Sequence, residues 1–223
     1  GVSCRFQTSS DVIVHPLTIN ACELTQTGNK SELDIIINNT SLSNTEVFLD
    51  QLPLHIAGDY VNASQLYYLL TNKLESVSIV HGNNITPLLG AKLEPMGWKD
   101  DYNLLESSKT SLNGYRRLQE YFVNKYKFLF VNLSGFNNKI ALPKAFKLRF
   151  KLSENSENTQ VNINSFKLFC TPAINLFDTT AEPIALDHKN SDLTLKPIRN
   201  VNSQNTIYSV LDVQGQNRRS TQK

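Results

Sequence analysis

Phe146-Lys147-Leu148-Arg149-Phe150-Lys151-Leu152 alternates apolar and cationic residues without a break. Successive side chains of a strand point to opposite faces, so this stretch predicts a half-buried strand with a cationic outer face. Working outward, Lys127 to Leu133 is strongly apolar and closes at Ser134-Gly135, and Phe166 to Cys170 is stopped by Pro172. Both read as strands. Upstream, Val77 to Val80 ends at His81-Gly82, Leu52 to Ile56 alternates and ends at Gly58, and Leu33 to Ile37 ends at Asn38-Asn39. Val12 to Ile19 is β-branched but broken by Pro16, which makes it an edge strand or two short ones. Leu193-Thr194-Leu195 and Ile207 to Val213 complete the expected strands.

Helical spacing occurs in two places. Ala63, Leu66, Tyr67, Leu69, Leu70 and Leu74 form a stripe, with Asn62 as N-cap and Gln65 answering it in a capping box. Tyr115, Leu118, Tyr121 and Phe122 share one face of a helix over about 113–124. Strands outnumber helices and do not alternate regularly with them. The expected fold is therefore α+β and β-rich, with mostly antiparallel strands and about two packed amphipathic helices. Residues 83–109, with Pro87, Gly90, Pro95, Gly97 and Trp98, read as an irregular connection. It divides the 223-residue chain into expected parts 1–85 and 110–223.

Composition narrows the function. The 22 basic and 20 acidic side chains leave a net charge of +2. Neutralising phosphates supplies most duplex affinity, so nucleic acid is not an expected partner. No stretch approaches the roughly 20 apolar residues of a membrane-spanning helix, and no direct membrane insertion is expected. The N-terminus shows no charged-then-apolar signal segment. The three cysteines, Cys4, Cys22 and Cys170, lack metal-ligand spacing and read as reduced thiols. Sequons at Asn29, Asn38, Asn39, Asn62, Asn84 and Asn132 would carry glycans in a secreted protein. Asn132 falls inside an expected strand, which favours chance in an Asn-, Ser- and Thr-rich chain.

The search for chemistry returns no catalytic, cofactor-binding or metal site. The histidines, His15, His55, His81 and His188, sit at no ligand spacing. No nucleophile elbow, P-loop or dinucleotide turn is present. Asp100-Asp101 and Asp187-His188 are the nearest approaches to acid–base pairs, and both read as solvated loop charge. Lys147, Arg149 and Lys151 read as a solvated strand face that could also meet an acidic partner.

Three stretches together carry a resemblance. Ser111 to Phe122 contains Gly114, Tyr115, Leu118, Glu120, Tyr121 and Phe122, and leads into Lys127-Phe128-Leu129-Phe130. Phe166 to Phe177 contains Cys170-Thr171-Pro172 and Asn175-Leu176-Phe177, followed by Glu182-Pro183-Ile184. Cys4-Arg5-Phe6-Gln7-Thr8 with Val12 and Pro16-Leu17 forms the opening. In order and spacing these resemble signatures of the TssF family (also called VasA or ImpG) of type VI secretion baseplate subunits. The departures are few. Arg117 stands for a usual Leu, Asn124-Lys125-Tyr126 for a common Pro-Glu, and Phe169 for a His. Family members are longer, so the chain resembles a middle segment of one.

The resemblance implies structural work without catalysis. TssF-like proteins join TssG in a wedge of the cytoplasmic baseplate, at the inner-membrane-docked machine. That wedge meets TssK and TssE, and further TssF copies, around the spike hub beneath the contractile sheath. Within the motifs, Tyr115, Leu118, Tyr121 and Phe122 are expected to dock the helix on the Phe128 to Phe130 strand. Glu120 is expected to satisfy buried backbone or to pair with Arg116. Thr171, Pro172 and Asn175 are expected to shape a fixed turn. Two other readings remain open: a secreted or surface β-sandwich that binds a ligand, and a hydrolase using Asp187 and His188.

Overall fold

The structure is a computed structural model that describes residues 4–42, 47–105, 112–136, 140–155, 158–186, 192–198 and 206–215. In chain order its strands are β1 (Gln7–Thr8), β2 (Leu17–Thr27), β3 (Lys30–Asn39), β4 (Leu52–Ile56), β5 (Leu74–His81), β6 (Asn84–Pro87), β7 (Leu93–Pro95), β8 (Phe130–Leu133), β9 (Ala145–Leu152), β10 (Phe166–Leu168) and β11 (Ala173–Ile174). Helix α1 spans Tyr60–Asn72 and α2 spans Asn113–Val123. This is a β-rich α+β fold. The chain forms two compact units, Thr8–Pro172 and a smaller one of residues 1–7 and 173–223.

The larger unit holds a five-stranded sheet of order β2-β3-β9-β5-β6 and a four-stranded sheet of order β10-β4-β8-β7. Every pairing in both is antiparallel. Strand β9, the alternating stretch, is central. Phe146, Leu148, Phe150 and Leu152 are all buried. Burial of each stabilises the fold by about 1.5–3 kcal/mol relative to exposure. On the opposite face Arg149 lies across from Asp34, and Lys151 across from Glu32. Residues before and after the irregular connection thus share one sheet, since β9 pairs with both β3 and β5.

Helix α1 packs against β4 and β7 of one sheet and β5 and β9 of the other. Ala63, Leu66, Leu69 and Leu70 bury its stripe in a core common to both sheets. The expected cap is corrected: Asp59, not Asn62, is the N-cap. The Asp59 carboxylate accepts from the Val61 and Asn62 amides at 3.0 and 3.3 Å. Asn62 lies in the first turn, and its side chain pairs with the Gln160 backbone in both directions, at 2.8 and 2.9 Å.

Other boundaries move for local reasons. Val12 to Val14 forms no strand, and β2 begins after Pro16 and runs to Thr27. Its hairpin to β3 turns at Gly28, whose φ of 62° suits glycine. The Lys127 to Leu133 run is split, because Lys125–Leu129 winds into a 3-10 turn before β8. Strand β10 ends at Leu168 because Phe169 takes φ 56°, a left-handed conformation that leaves the strand.

Strands β1 and β11 form a two-stranded sheet. A single bridge joins Ala181 to Pro197, flanked by amide bonds from Glu182 to Lys196 and from Ile198 to Thr180. Leu193 to Leu195 and Ile207 to Val213 are not strands. The latter keeps its β-branched pattern, but its side chains are exposed and no described partner strand runs beside it.

Candidate functional site

The motif that runs from α2 into β8 is built inside out. The face of α2 turned to the interior carries charge: Arg116 and Glu120 are buried, one turn apart. Lys127, in the 3-10 turn, reaches back to the Glu120 carboxylate, and the two side chains are 1% and 0% exposed. Glu120 Oε1 also accepts the Leu104 amide at 2.8 Å and the Leu105 amide at 3.1 Å. One carboxylate therefore joins the helix, the turn after it and the connection before it. Burying these ions is tolerable because each is paired and hydrogen-bonded. Of the two expected roles for Glu120, backbone satisfaction holds, while its ionic partner is Lys127 rather than Arg116. Arg116 instead donates to Asp100 at 2.8 Å, and Arg117 approaches the same oxygen at 3.6 Å. Asp100 is thus a partner for arginines.

The apolar stripe of α2 faces the other way. Tyr115 is 70% exposed, Leu118 54% and Phe122 79%. The expected docking of this face on the Phe128 to Phe130 strand is corrected for these three residues. The helix can present only one face inward, and the Glu120 network occupies it. Tyr121, at the margin, does reach Phe128, with ring centroids 5.9 Å apart. Phe128 is buried beneath Trp98 at 4.6 Å. The exposed ring surface continues onto α1. Tyr60 meets Tyr126 edge-on at 5.6 Å, and its hydroxyl donates to Tyr121 at 3.1 Å. The Lys125 ammonium sits 4.2 Å from the Tyr60 centroid, a cation–π contact. Gly114, near the start of α2, has open space around it.

Gly97 is a residue whose role the sequence reading missed. A side chain there would place Cβ 2.2 Å from the Lys127 carbonyl oxygen and 2.9 Å from the Phe128 Cα. The connection packs directly on the backbone of the 3-10 turn, and only glycine permits it. Phe130 begins β8 and stacks on His55 at 4.3 Å.

The other expected residues fall elsewhere. Lys147, Arg149 and Lys151 are engaged across the sheet. Arg149 grips Asp34 with two bonds of 2.8 and 2.7 Å and approaches Glu32 at 3.3 Å. Lys147 lies 3.6 Å from Asp34, and Lys151 3.6 Å from Glu32. Cross-strand carboxylates therefore neutralise much of this face. Thr171 and Pro172 brace the chain near its start: the Pro172 carbonyl accepts from the Ser9 amide and hydroxyl, both at 3.0 Å, and Thr171 Oγ1 meets Ser10 Oγ at 2.8 Å. In the smaller unit Asn175 is exposed, Leu176 and Phe177 are half-buried, and Arg5 lies over the Phe177 ring at 5.6 Å. Asp187 and His188 lie outside the described residues.

Chemistry is sparse among the described residues. They contain no group of ligands able to hold a metal ion, and no helix long and apolar enough to cross a membrane. A cavity of about 340 Å³ beside Lys127 and Phe130 is lined by Val12, Ile13, Phe48 and Cys170. Burial raises the Cys170 thiol above its ordinary value, which disfavours a reactive thiolate. Cys22, packed in the core, is pushed up to about 11 by burial. What the motif offers is an aromatic, outward-facing surface.

Comparison with known proteins agrees with the motifs. The family model "Type VI secretion system, TssF" matches residues 1–223. The type VI secretion system component TssF1 of Pseudomonas aeruginosa is 32% identical over 148 residues, 63% of this chain and 24% of that protein. A chain in the cryo-electron microscopy structure of a TssK-TssF-TssG baseplate subcomplex superposes with a TM-score of 0.77 at 28% identity, covering 88% of this chain and 38% of that one. The chain therefore spans about a quarter of the curated relative's length. With its whole length matched and its fold in common, this chain belongs to the TssF family of type VI secretion proteins.

Proposed function

We propose that the chain is a structural piece of the type VI secretion baseplate wedge, assembling with TssG and TssK and performing no catalysis. The observation that carries this is the shared fold with a chain of a TssK-TssF-TssG subcomplex. The site adds physical support: its polar groups are spent on internal ties, and its outward face is aromatic. In this reading the protein works in the cytoplasm, within the wedge around the spike hub, with TssE and further TssF copies as neighbours.

The test is co-purification of the full-length protein with co-expressed TssG and TssK from the same machine. A stable stoichiometric complex is expected. Well-folded proteins that elute separately at micromolar concentration would remove the reading.

A further inference from the structure

Val12 and Ile13 are β-branched, yet Pro16 follows them and no strand forms before β2. Ser9 and Ser10 hold this segment by their bonds to Pro172 and Thr171. It therefore stands against the four-stranded sheet as a wall and not as a strand, and the cavity of about 340 Å³ opens between them. Pro53 of β4 and Phe130 of β8 line it from the sheet, Val12 from the segment, and Phe48 and Met96 from flanking connections. Pockets that take small molecules run from roughly 300 to 1,000 Å³ and are apolar with a few polar groups. This cavity has that size and that lining.

Among its lining residues Asp11, His15, Asp50 and Lys127 can carry charge. The Lys127 ammonium is spent on Glu120, and its side chain is 1% exposed, so it adds no free charge. Asp11 and Asp50 form no ion pair with any described residue. Two uncompensated carboxylates thus share one cavity with the rings of Phe48 and Phe130. A ring face attracts a cation, and a carboxylate binds one through charge-assisted hydrogen bonds, so both features select the same ligand. We propose that this cavity is a binding site for an organic cation: an amidinium, guanidinium or alkylammonium group on an apolar body. The body takes the apolar walls, and the charge takes Asp11 and Asp50. The same chemistry is offered by a free small cation and by an arginine or lysine side chain of another chain. The assignment is independent of the baseplate reading.

The experiment titrates benzamidine, benzamide and benzoate into the full-length protein and follows them by ligand-observed NMR. The three probes share one ring and differ in charge, and the work is done at about pH 8, where histidine is ordinarily neutral. Benzamidine is expected to bind with a dissociation constant of about 1 mM or below, and at least ~10-fold tighter than benzamide. High salt should shrink that preference. Asp11→Asn combined with Asp50→Asn should abolish it, and Phe48→Ala should weaken both probes about threefold. Asp11, Asp50 and Phe48 are exposed, so these variants should keep the wild-type melting temperature. Equal binding of benzamidine and benzamide, tighter binding of benzoate, or a preference that survives the double Asn variant would overturn the proposal. So would the absence of benzamidine binding at about 10 mM. Capture of co-expressed TssG and TssK then separates the two sources. Capture weakened by benzamidine and by the double Asn variant assigns the site to a basic side chain of a partner, and capture that neither changes assigns it to a free cation.

Discussion

Replacing Glu120 by Ala removes the carboxylate that ties α2 to its surroundings. Three donors lose their acceptor: the Lys127 ammonium and the Leu104 and Leu105 amides. Lys127 is 1% exposed at its side chain, so water does not replace the lost partner. Breaking a buried pair by removing one ion costs about 3–5 kcal/mol, and an orphaned buried amide about 1–3 kcal/mol. These terms overlap, since the ammonium and amides can relax together, so we take about 4 kcal/mol for the whole. That is a large share of the roughly 5–15 kcal/mol that holds a domain folded. The assay is urea unfolding followed by fluorescence of Trp98, the single tryptophan, whose ring lies 4.6 Å from Phe128, next to Lys127. The double variant Glu120→Gln with Lys127→Met keeps an amide oxygen for the two backbone donors and removes the buried charge. It should recover most of the loss. A Glu120→Ala cost below about 1 kcal/mol, or a double variant no better than the single, would refute the reasoning.

Three further outcomes are expected. Gly97→Ala should destabilise by about 3 kcal/mol and shift Trp98 emission, because Cβ would strike the Lys127 carbonyl at 2.2 Å; unchanged urea midpoints would contradict this. His55, buried against Phe130, has its pKa held below the ordinary 6.5 by burial, so the folded state keeps the ring neutral while the unfolded chain takes up the proton first. Its stabilising contribution is complete above about pH 6.5 and is lost as pH falls through the folded-state value, so His55→Phe should flatten the decline in melting temperature below about pH 6.5. Arg149→Lys should cost about 1 kcal/mol by losing the two-bond grip on Asp34, and a double-mutant cycle with Asp34→Asn should return a coupling of that order.

Much of the fold was legible because it is local and periodic. The alternation from Phe146 to Leu152 marked β9, and its apolar side is the centre of the core. The stripe from Ala63 to Leu70 marked α1 in the same way. The motifs at 111–130 and 166–177 are long enough to identify the family without a structure. Periodicity reports which residues share a face. It does not report what that face meets.

That second question is where the tertiary structure decided. Tyr115, Leu118 and Phe122 share a face as their spacing requires, yet the face points outward. The partners of Glu120 lie 7, 15 and 16 residues away, on a turn and a connection with no periodicity of their own. Once those partners converge, a fully desolvated ion pair must stay together, and the apolar stripe is left on the opposite side. Ile207 to Val213 teaches the same lesson from the other direction, since a strand pattern becomes a strand only where a neighbour completes its ladder. Gly97 is a third case: its need for hydrogen in place of a side chain comes from the Lys127 backbone 30 residues later, which nothing in its own neighbourhood announces. Sequence by itself determined β9, α1 and α2, the side chains that share a face on each, and the family. Tertiary packing decided which face of α2 is core and which is surface, because Lys127 and the Leu104 and Leu105 amides converge on Glu120 in a desolvated interior, where a buried charge must keep its partners.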